Sequence, residues 1–326
     1  MNNVKSDMVN LVADIGGTNI RLAIAGSVND IAEIVTYQCE KFAHLIDVLR
    51  LYISQKQLDG KSINACLAIA CPVDGDFISM TNLPWKFSQK ELKAKLKLNS
   101  LTLINDYSAI ALAIPYLNDD QKFKIGRGEV VENSAISVCG PGTGLGVATL
   151  VSLDNKWHCV SGEGGHVDFA PVNELEVGIF SYILKIKQRV SYEQLLSGYG
   201  LEQIYQALID MNHDSLRAES EKLSAEVISS RAINNSCVIC GQALEQFCQI
   251  LGSFAGNLAL TANSLGGVYI AGGIVPRFIR FLAQSGFRER FETKGRLSAL
   301  TQQTPTYVIT ETQPGLLGAS AYLNQL

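Results

Sequence analysis

The sequence predicts a mixed α/β protein of two related lobes, and three observations carry that prediction. Short apolar runs bounded by glycine or proline alternate with stretches of helical spacing, the pattern of sheets covered by helices. A strand, a glycine turn and a second strand follow one another twice, over residues 10–26 and 135–153. The 326 residues, 47% of them apolar, are enough for one large or two ordinary domains with a substantial core.

Residues 10–26, N-L-V-A-D-I-G-G-T-N-I-R-L-A-I-A-G, read as strands at 11–13 and 20–25 joined through Asp14-Ile15-Gly16-Gly17-Thr18-Asn19. Two consecutive glycines let the backbone approach a ligand and offer N–H groups to an anion. Thr18 and Asn19 add donors, and Asp14 sets a carboxylate beside them. That carboxylate would repel an anion unless a cation lay between, so Mg²⁺ with a nucleotide phosphate is one reading. An ordinary hairpin with a capping aspartate is the other.

A third strand is expected over 33–39 and a helix over 42–53, with Leu45, Val48, Leu49 and Tyr52 on one face. The run A-C-L-A-I-A at 65–70 reads as a strand covered on both faces, and 77–80 as a short return. Residues 88–96 form a short amphipathic helix, with Ser88 as cap and Glu91 at the third position. L-T-L-I at 101–104 is the next buried strand, and a helix starts near Ala109. Asn105-Asp106-Tyr107 lies at that junction, where open α/β sheets bind ligands. The polar stretch 116–128 is the expected domain crossing.

The second half opens on a strand at 135–139, then G-P-G-T-G-L-G at 140–146 and a strand at 147–153. Residues 157–160 lead into S-G-E-G-G-H-V-D-F at 161–169. Helical spacing then dominates over 174–188, 191–210, 223–233 and 238–264. A strand at 268–271 ends in Gly272-Gly273, with a helix through 283; a last strand spans 307–310 and a closing helix 316–326.

Charge and composition exclude several classes. The net charge is −4 and no Lys/Arg block stands out, which speaks against nucleic acid and anionic membrane as partners. The first seven residues lack the apolar core of a signal peptide, and no run approaches the roughly 20 apolar residues of a membrane span. Eight cysteines without an export signal are expected as reduced thiols in a cytoplasmic protein. Cys237 and Cys240 form a C-x-x-C with no partners to complete a zinc site, so both are expected to face the core. The Asn234-Asn235-Ser236 glycosylation match is void without secretion. Gly60-Lys61-Ser62 resembles the end of a Walker loop, but Gln55 stands where its first glycine belongs. The 140–146 loop has glycine at every second place and leads into a strand, so it is not a dinucleotide fingerprint.

Three glycine turns, at 16–17, 142–146 and 272–273, each close an apolar strand, which suits a triphosphate with its nucleoside. Asp106 and Asn105 read either as a helix cap or as a general base for a hydroxyl proton with an orienting amide. Glu163-Gly164-Gly165-His166 places a carboxylate and an imidazole together with no side chain between them. Such a pair suits contacts to adjacent hydroxyls, and no second His or Cys at ligand spacing favours a metal instead.

Taken together these stretches resemble bacterial glucokinase of the hexokinase/actin-like ATPase superfamily. The matching segments are D-I-G-G-T-N-I-R-L-A (14–23), A-I-A-C-P-V-D-G-D (68–76), T-N-L-P-W-K-F-S (81–88) and I-N-D-Y-S-A-I-A-L-A-I-P (104–115). G-P-G-T-G-L-G-V-A (140–148), G-E-G-G-H-V-D-F-A-P (162–171), L-L-S-G-Y-G-L (195–201), G-G-V-Y-I-A-G-G-I-V-P-R-F (266–278) and P-G-L-L-G (314–318) continue it. The zinc-binding cysteine cluster of the related ROK kinases and repressors is missing, as is a DNA-binding extension.

The resemblance implies a two-lobed actin-like ATPase (ribonuclease H-like) fold with an interdomain cleft. Residues 1–116 plus 307–326 would form a small α/β domain and 117–306 a larger α+β domain. Ala13, Asp14, Ile15, Gly16, Gly17 and Thr18 would hold ATP phosphates, with Asp14 oriented toward Mg²⁺ through water. Asp106 would take the proton of the glucose 6-hydroxyl, while Asn105, Glu163 and His166 would bind sugar hydroxyls. Glu193 looks like a further sugar ligand; read from the sequence alone it is equally a helix-N-terminal glutamate favoured by the dipole. Thr143 and Gly144 resemble the second phosphate contact, and Gly272 and Gly273 the nucleoside contact. The implied reaction is ATP + D-glucose → glucose 6-phosphate + ADP, in a homodimer. A kinase of mannose, fructose or N-acetylglucosamine, a non-catalytic sugar sensor, and a sugar-independent ATPase are the rival readings.

Overall fold

The computed structural model describes residues 8–211 and 222–325. Strands β1 (Met8–Ile15) and β2 (Asn19–Ala25) form the expected hairpin, and β3 (Ile31–Gln38) extends it. Then come α1 (Leu45–Gln55), β4 (Ser62–Ile69), β5 (Phe77–Ser79), β6 (Lys86–Ser88), α2 (Gln89–Leu96), β7 (Ser100–Asn105) and α3 (Asp106–Ala113). The chain continues through β8 (Lys122–Ile125), β9 (Ile136–Pro141), β10 (Leu145–Leu153), β11 (Lys156–Gly162), α4 (Glu174–Ile186) and α5 (Gly198–Met211). After α6 (Ala225–Ile233) and α7 (Val238–Ala262) it closes with β12 (Val268–Ile270), α8 (Ile279–Gln284), α9 (Phe287–Glu292), α10 (Ser298–Gln303), β13 (Thr306–Ile309) and α11 (Pro314–Gln325). The chain divides into two compact units: residues up to 118 with 153–161 and 311 onward, and residues 119–152 with 162–310.

The first unit is built on a sheet of order β3-β2-β1-β4-β7, in which β1, β4 and β7 run parallel. Parallel strands carry helices on both faces, and this is why the run from Ala65 to Ile69 is wholly buried rather than alternating. One face packs Leu11, Ala13, Ile15 and Leu67 with Val48 and Tyr52 of α1. α3 and α11 pack so tightly together that a Cβ on Gly318 would lie 1.7 Å from the Ala109 carbonyl oxygen. Ser88 caps α2 as expected, its hydroxyl accepting the Glu91 N–H at 3.1 Å.

The second unit carries five consecutive strands of a mixed sheet, in the order β10-β9-β12-β13-β8. Its helical layer is organised around α7, whose Leu244, Phe247, Leu251 and Phe254 are buried. The echo seen in the sequence is topological. β2·β1 and β10·β9 are antiparallel hairpins, and in each unit the inner strand is followed in the sheet by two parallel strands in turn, β4 then β7 or β12 then β13.

Several expectations need correcting. The polar stretch 116–128 contains a strand, β8, antiparallel to β13; only Ile125 of K-F-K-I is buried, as fits an edge strand with a weak apolar signal. Residues 307–310 were expected with the first domain, yet β13 pairs with β12 and β8 in the second unit, because its four buried residues complete that sheet's interior. Residues 153–161, expected in the larger domain, belong to the first unit, where the Trp157 N–H donates to Gln325 Oε1 at 2.8 Å. The helix expected over 191–210 begins only at Gly198, because Ser191 is held in a strand-like bridge to Asp168. Helices α9 and α10 had not been singled out.

All eight cysteines are free thiols. Cys240 is buried in the core and Cys237, partly buried, packs against it as expected; Cys237 also caps α7, its sulfur accepting the Cys240 N–H at 3.3 Å. No described helix is long and apolar enough to cross a membrane.

Candidate active site

In the first unit, the parallel register sets Ile15, Ile69 and Asn105 level with one another. The ends of β1 and β7 therefore stand at one edge of the sheet, about 10 Å apart across β4. This is the carboxyl edge, where such sheets bind ligands.

Asp14 lies within β1 rather than in the turn, paired across the hairpin with Arg21. Arg21 Nη1 donates to Asp14 Oδ2 at 3.3 Å. Burial raises the Asp14 carboxyl above its ordinary range, and the guanidinium pulls it back down. The turn itself is tied twice. The Gly16 N–H donates to the Asn19 carbonyl at 3.0 Å, and the Cys39 N–H to the Thr18 carbonyl at 2.8 Å. The Cys39 thiol also reaches the Gly16 carbonyl at 3.6 Å. Ala13 and Ile15 are buried, and Gly17 backs onto Asn82, to whose Cβ a side chain there would come within 3.1 Å. The first turn of α11 rests on Asp14; a Cβ at Gly315 would lie 2.8 Å from its Cγ.

At the end of β7 the two roles weighed for Asn105 and Asp106 are divided between them. Asn105 is the cap: its Oδ1 accepts the Tyr107 and Ser108 N–H groups at 3.0 and 3.3 Å. Asp106 is the first residue of α3, its Oδ1 receiving Asn105 Nδ2 at 2.9 Å and the Tyr107 N–H at 3.0 Å. Desolvation is the largest influence on Asp106 and Asp14 adds repulsion; against the hydrogen bonds that lower it, its carboxyl stands at about 6. A carboxylate poised there is a competent base near neutral pH. Two acids of one unit that sense each other also suit a cation bridged by water and phosphate, the mode Mg²⁺ prefers.

In the second unit Ile270 of β12 is level with Cys139 of β9, so the second and third glycine turns leave the same edge. The Gly142 N–H closes the 142–144 turn on the Gly144 carbonyl at 2.8 Å, and the Gly198 N–H at the start of α5 donates to the Gly142 carbonyl at 3.0 Å. Gly272 has φ +86°, and a Cβ there would lie 2.4 Å from the Pro141 oxygen, so only glycine fits. Thr143 and Gly273 are exposed.

Glu163 precedes the single turn Gly164–His166 and is exposed, its carbonyl accepting the His166 N–H at 3.0 Å. Gly165 must be glycine, since a Cβ would lie 2.1 Å from the Leu145 carbonyl oxygen. Glu193 sits in the turns before α5, which removes its reading as a helix-N-terminal residue. Its Oε2 accepts the Leu145 N–H at 2.9 Å and its Oε1 lies 3.7 Å from His166 Nε2. Glu193 thus touches both the second glycine turn and the His166 turn. Arg21, Cys39 and Gly315 had escaped notice. P-G-L-L-G was a visible signal for Gly315, whereas nothing local marks Cys39, which reaches the loop only through the end of β3.

The glucokinase family model matches residues 11–326. The chain is 65% identical to the glucokinase of Colwellia psychrerythraea strain 34H, over 100% of this chain and 99% of that one. It is 46% identical to the glucokinase of Photorhabdus laumondii, over 98% of each. Its fold superposes on the crystal structure of glucokinase from an Antarctic psychrotroph with TM-score 0.89 and 38% identity, over 98% of this chain and 99% of that one.

Proposed function

This chain belongs to the glucokinase family, an enzyme that phosphorylates glucose with ATP on an actin-like ATPase fold, and we propose how its residues divide that work. Asp106 is the base for the 6-hydroxyl. The proposal rests on one observation above the others: a half-buried carboxyl at a strand end, held by Asn105 and Tyr107 and raised to about 6. Asn105, Glu163, His166 and Glu193 bind the sugar hydroxyls. Support for Glu193 comes from its contacts with Leu145 and His166, which aim a carboxylate beside an imidazole.

For the nucleotide, the loop from Ala13 to Thr18 faces the phosphates. Since the Gly16 amide is engaged with Asn19, the amides of Gly17 and Thr18 are the ones assigned to them. Thr143 and Gly144, backed by the N-terminus of α5, take the second phosphate contact, and Gly272 and Gly273 take the nucleoside. Asp14 would hold Mg²⁺ through water, which when bound neutralises the charge of the transferring phosphoryl group. In the transfer, Asp106 accepts the hydroxyl proton as sugar oxygen bonds to the γ-phosphorus and the bond to the β-phosphate oxygen breaks, leaving ADP. In this reading the first unit carries Asp14, Asn105 and Asp106, and the second carries Thr143, Glu163, His166, Glu193 and the 272–273 turn. A homodimer in the cytoplasm completes the proposal, on the family pattern.

ADP release by the purified protein, measured with Mg-ATP alone and with glucose, mannose, fructose or N-acetylglucosamine, tests the reading. Release that appears only with glucose supports it. Release without sugar would reassign the chain to the ATPases, and binding of glucose without release would make it a sensor. Light scattering decides the dimer.

A further inference from the structure

Glu193 and His166 lie in two turns whose flanking segments hold each other. The Glu193 N–H donates to the Gly165 carbonyl at 2.9 Å, the Tyr192 N–H to Val167 at 3.0 Å and the Phe169 N–H to Val190 at 3.0 Å. Phe169 and Val190 bury this ladder in the core, Phe169 against Phe180 of α4 at 6.4 Å, and Glu193 is tied to the Leu145 amide. Tyr192, next to Glu193, adds a link to α7 that ends in hydrogen bonds. It is buried, its ring lies 5.4 Å from that of Phe169 and 4.7 Å from that of Phe254 on α7, and its hydroxyl is hydrogen-bonded by the Ala170 backbone and by Asn257 Nδ2 at 3.3 Å.

Asn257 is itself oriented by a charge. Lys294 Nζ donates to Asn257 Oδ1 at 2.8 Å and to the Ser253 carbonyl at 2.9 Å. An ammonium only donates, so the oxygen of the amide must face Lys294 and its NH₂ must face Tyr192. The lysine reaches this place over Gly256, where a Cβ would come within 2.5 Å of its Cε. Burial and the neighbouring Arg290 push the ammonium down to about 8. Arg290 in turn binds Ser253 Oγ at 2.7 Å and the fully buried Glu176 at 2.8 Å, and Glu176 also takes Gln246 Nε2 at 2.9 Å and the Val172 N–H at 2.9 Å. A buried ion pair with this many partners contributes little net stability over an apolar replacement, but removing one member strands the other, so Arg290 and Glu176 depend on each other's placement.

We propose that Tyr192 is a positioning residue for glucose, locked by the Asn257–Lys294 pair so that Glu193 and His166 stay in register with the 142–146 turn. The inference rests on the assignment of Glu193 to the sugar. Loss of the hydroxyl anchor lets the 190–193 segment drift, which loosens the sugar contacts of Glu193 and His166 first; of the nucleotide loops only the 142–146 turn, through the Leu145 amide, is bonded to Glu193.

Three variants of the full-length enzyme test it, each assayed for kcat and for the KM of glucose and of ATP. Tyr192→Phe keeps the ring packing and removes only the hydroxyl. Asn257→Leu removes both bridging bonds at similar volume. Glu193→Gln is the control for the site. With Glu193→Gln raising the glucose KM, Tyr192→Phe and Asn257→Leu are expected to raise it roughly 3–10-fold, with a clearly smaller change in ATP KM, and the double variant to do no more than either alone. An unchanged glucose KM in Tyr192→Phe, or equal shifts in both KM values, overturns the positioning role. An unchanged glucose KM in Glu193→Gln overturns the site assignment instead.

Discussion

Asp106→Asn separates a catalytic carboxylate from a structural one, because the two make opposite demands on stability. The Asp106 carboxyl stands at about 6 against an ordinary 3.8, a difference of about 2 pH units, with desolvation its largest cause. At about 1.4 kcal/mol per unit, the folded protein bears about 3 kcal/mol for keeping that group ionised. The sign follows from the direction of the shift. Above pH 3.8 the unfolded chain releases the proton while the folded chain keeps it, so the penalty grows from there and is complete above about pH 6. Asparagine carries no such penalty, and its Oδ1 can still accept the Tyr107 N–H. Urea denaturation should therefore show the variant and the native chain equally stable near pH 4, with the variant ahead by up to about 3 kcal/mol at pH 8. Glucose-dependent ADP release should meanwhile fall about 10²–10⁴-fold in kcat, with little change in ATP KM. A stability gap independent of pH, or a variant with near-native kcat, would refute the assignment of the base.

Further predictions follow from the same geometry. With unaltered protein, kcat/KM for glucose should fall about tenfold per unit below about pH 6, as Asp106 takes up its proton; an acid limb near 4 would point to a different group. Gly144→Ala would put a Cβ 2.6 Å from Glu193 Oε2. Steady-state kinetics should show the glucose KM raised by roughly 3–10-fold as the carboxylate leaves the Leu145 amide. Gly318→Ala should cost about 3 kcal/mol in urea denaturation through the α3–α11 contact. Gly241→Ala, in open space on α7, should stabilise by about 0.5–1 kcal/mol. Arg21→Met removes the group that lowers the Asp14 carboxyl, so a Mg²⁺ titration of activity should require more metal, and the excess should be larger at pH 6 than at pH 8.

Both hairpins were legible in the sequence because each carries a strong local signal, two apolar strands joined through glycines. The runs at 65–70 and 101–104 were legible for a related reason: doubly covered strands are apolar throughout, and the burial of Ala65–Ile69 repeats that pattern. The candidate acids and the imidazole were visible as residue types at strand ends and in glycine turns. Their partners were not. Arg21 meets Asp14 through hairpin register, Glu193 meets Leu145 across 48 residues, and Gly315 meets Asp14 from the far end of the chain. The weak edge strand β8 and the start of α5 also escaped local reading, since one has a single buried residue and the other is delayed by the bridge from Ser191 to Asp168. Sequence alone determined the strongly apolar strands, the glycine turns that end them, and which acids stand beside those turns. Tertiary structure decided which of two adjacent residues caps α3 and which keeps a raised carboxyl, because capping depends on hydrogen-bond geometry and the carboxyl on desolvation, and neither exists until the chain is packed.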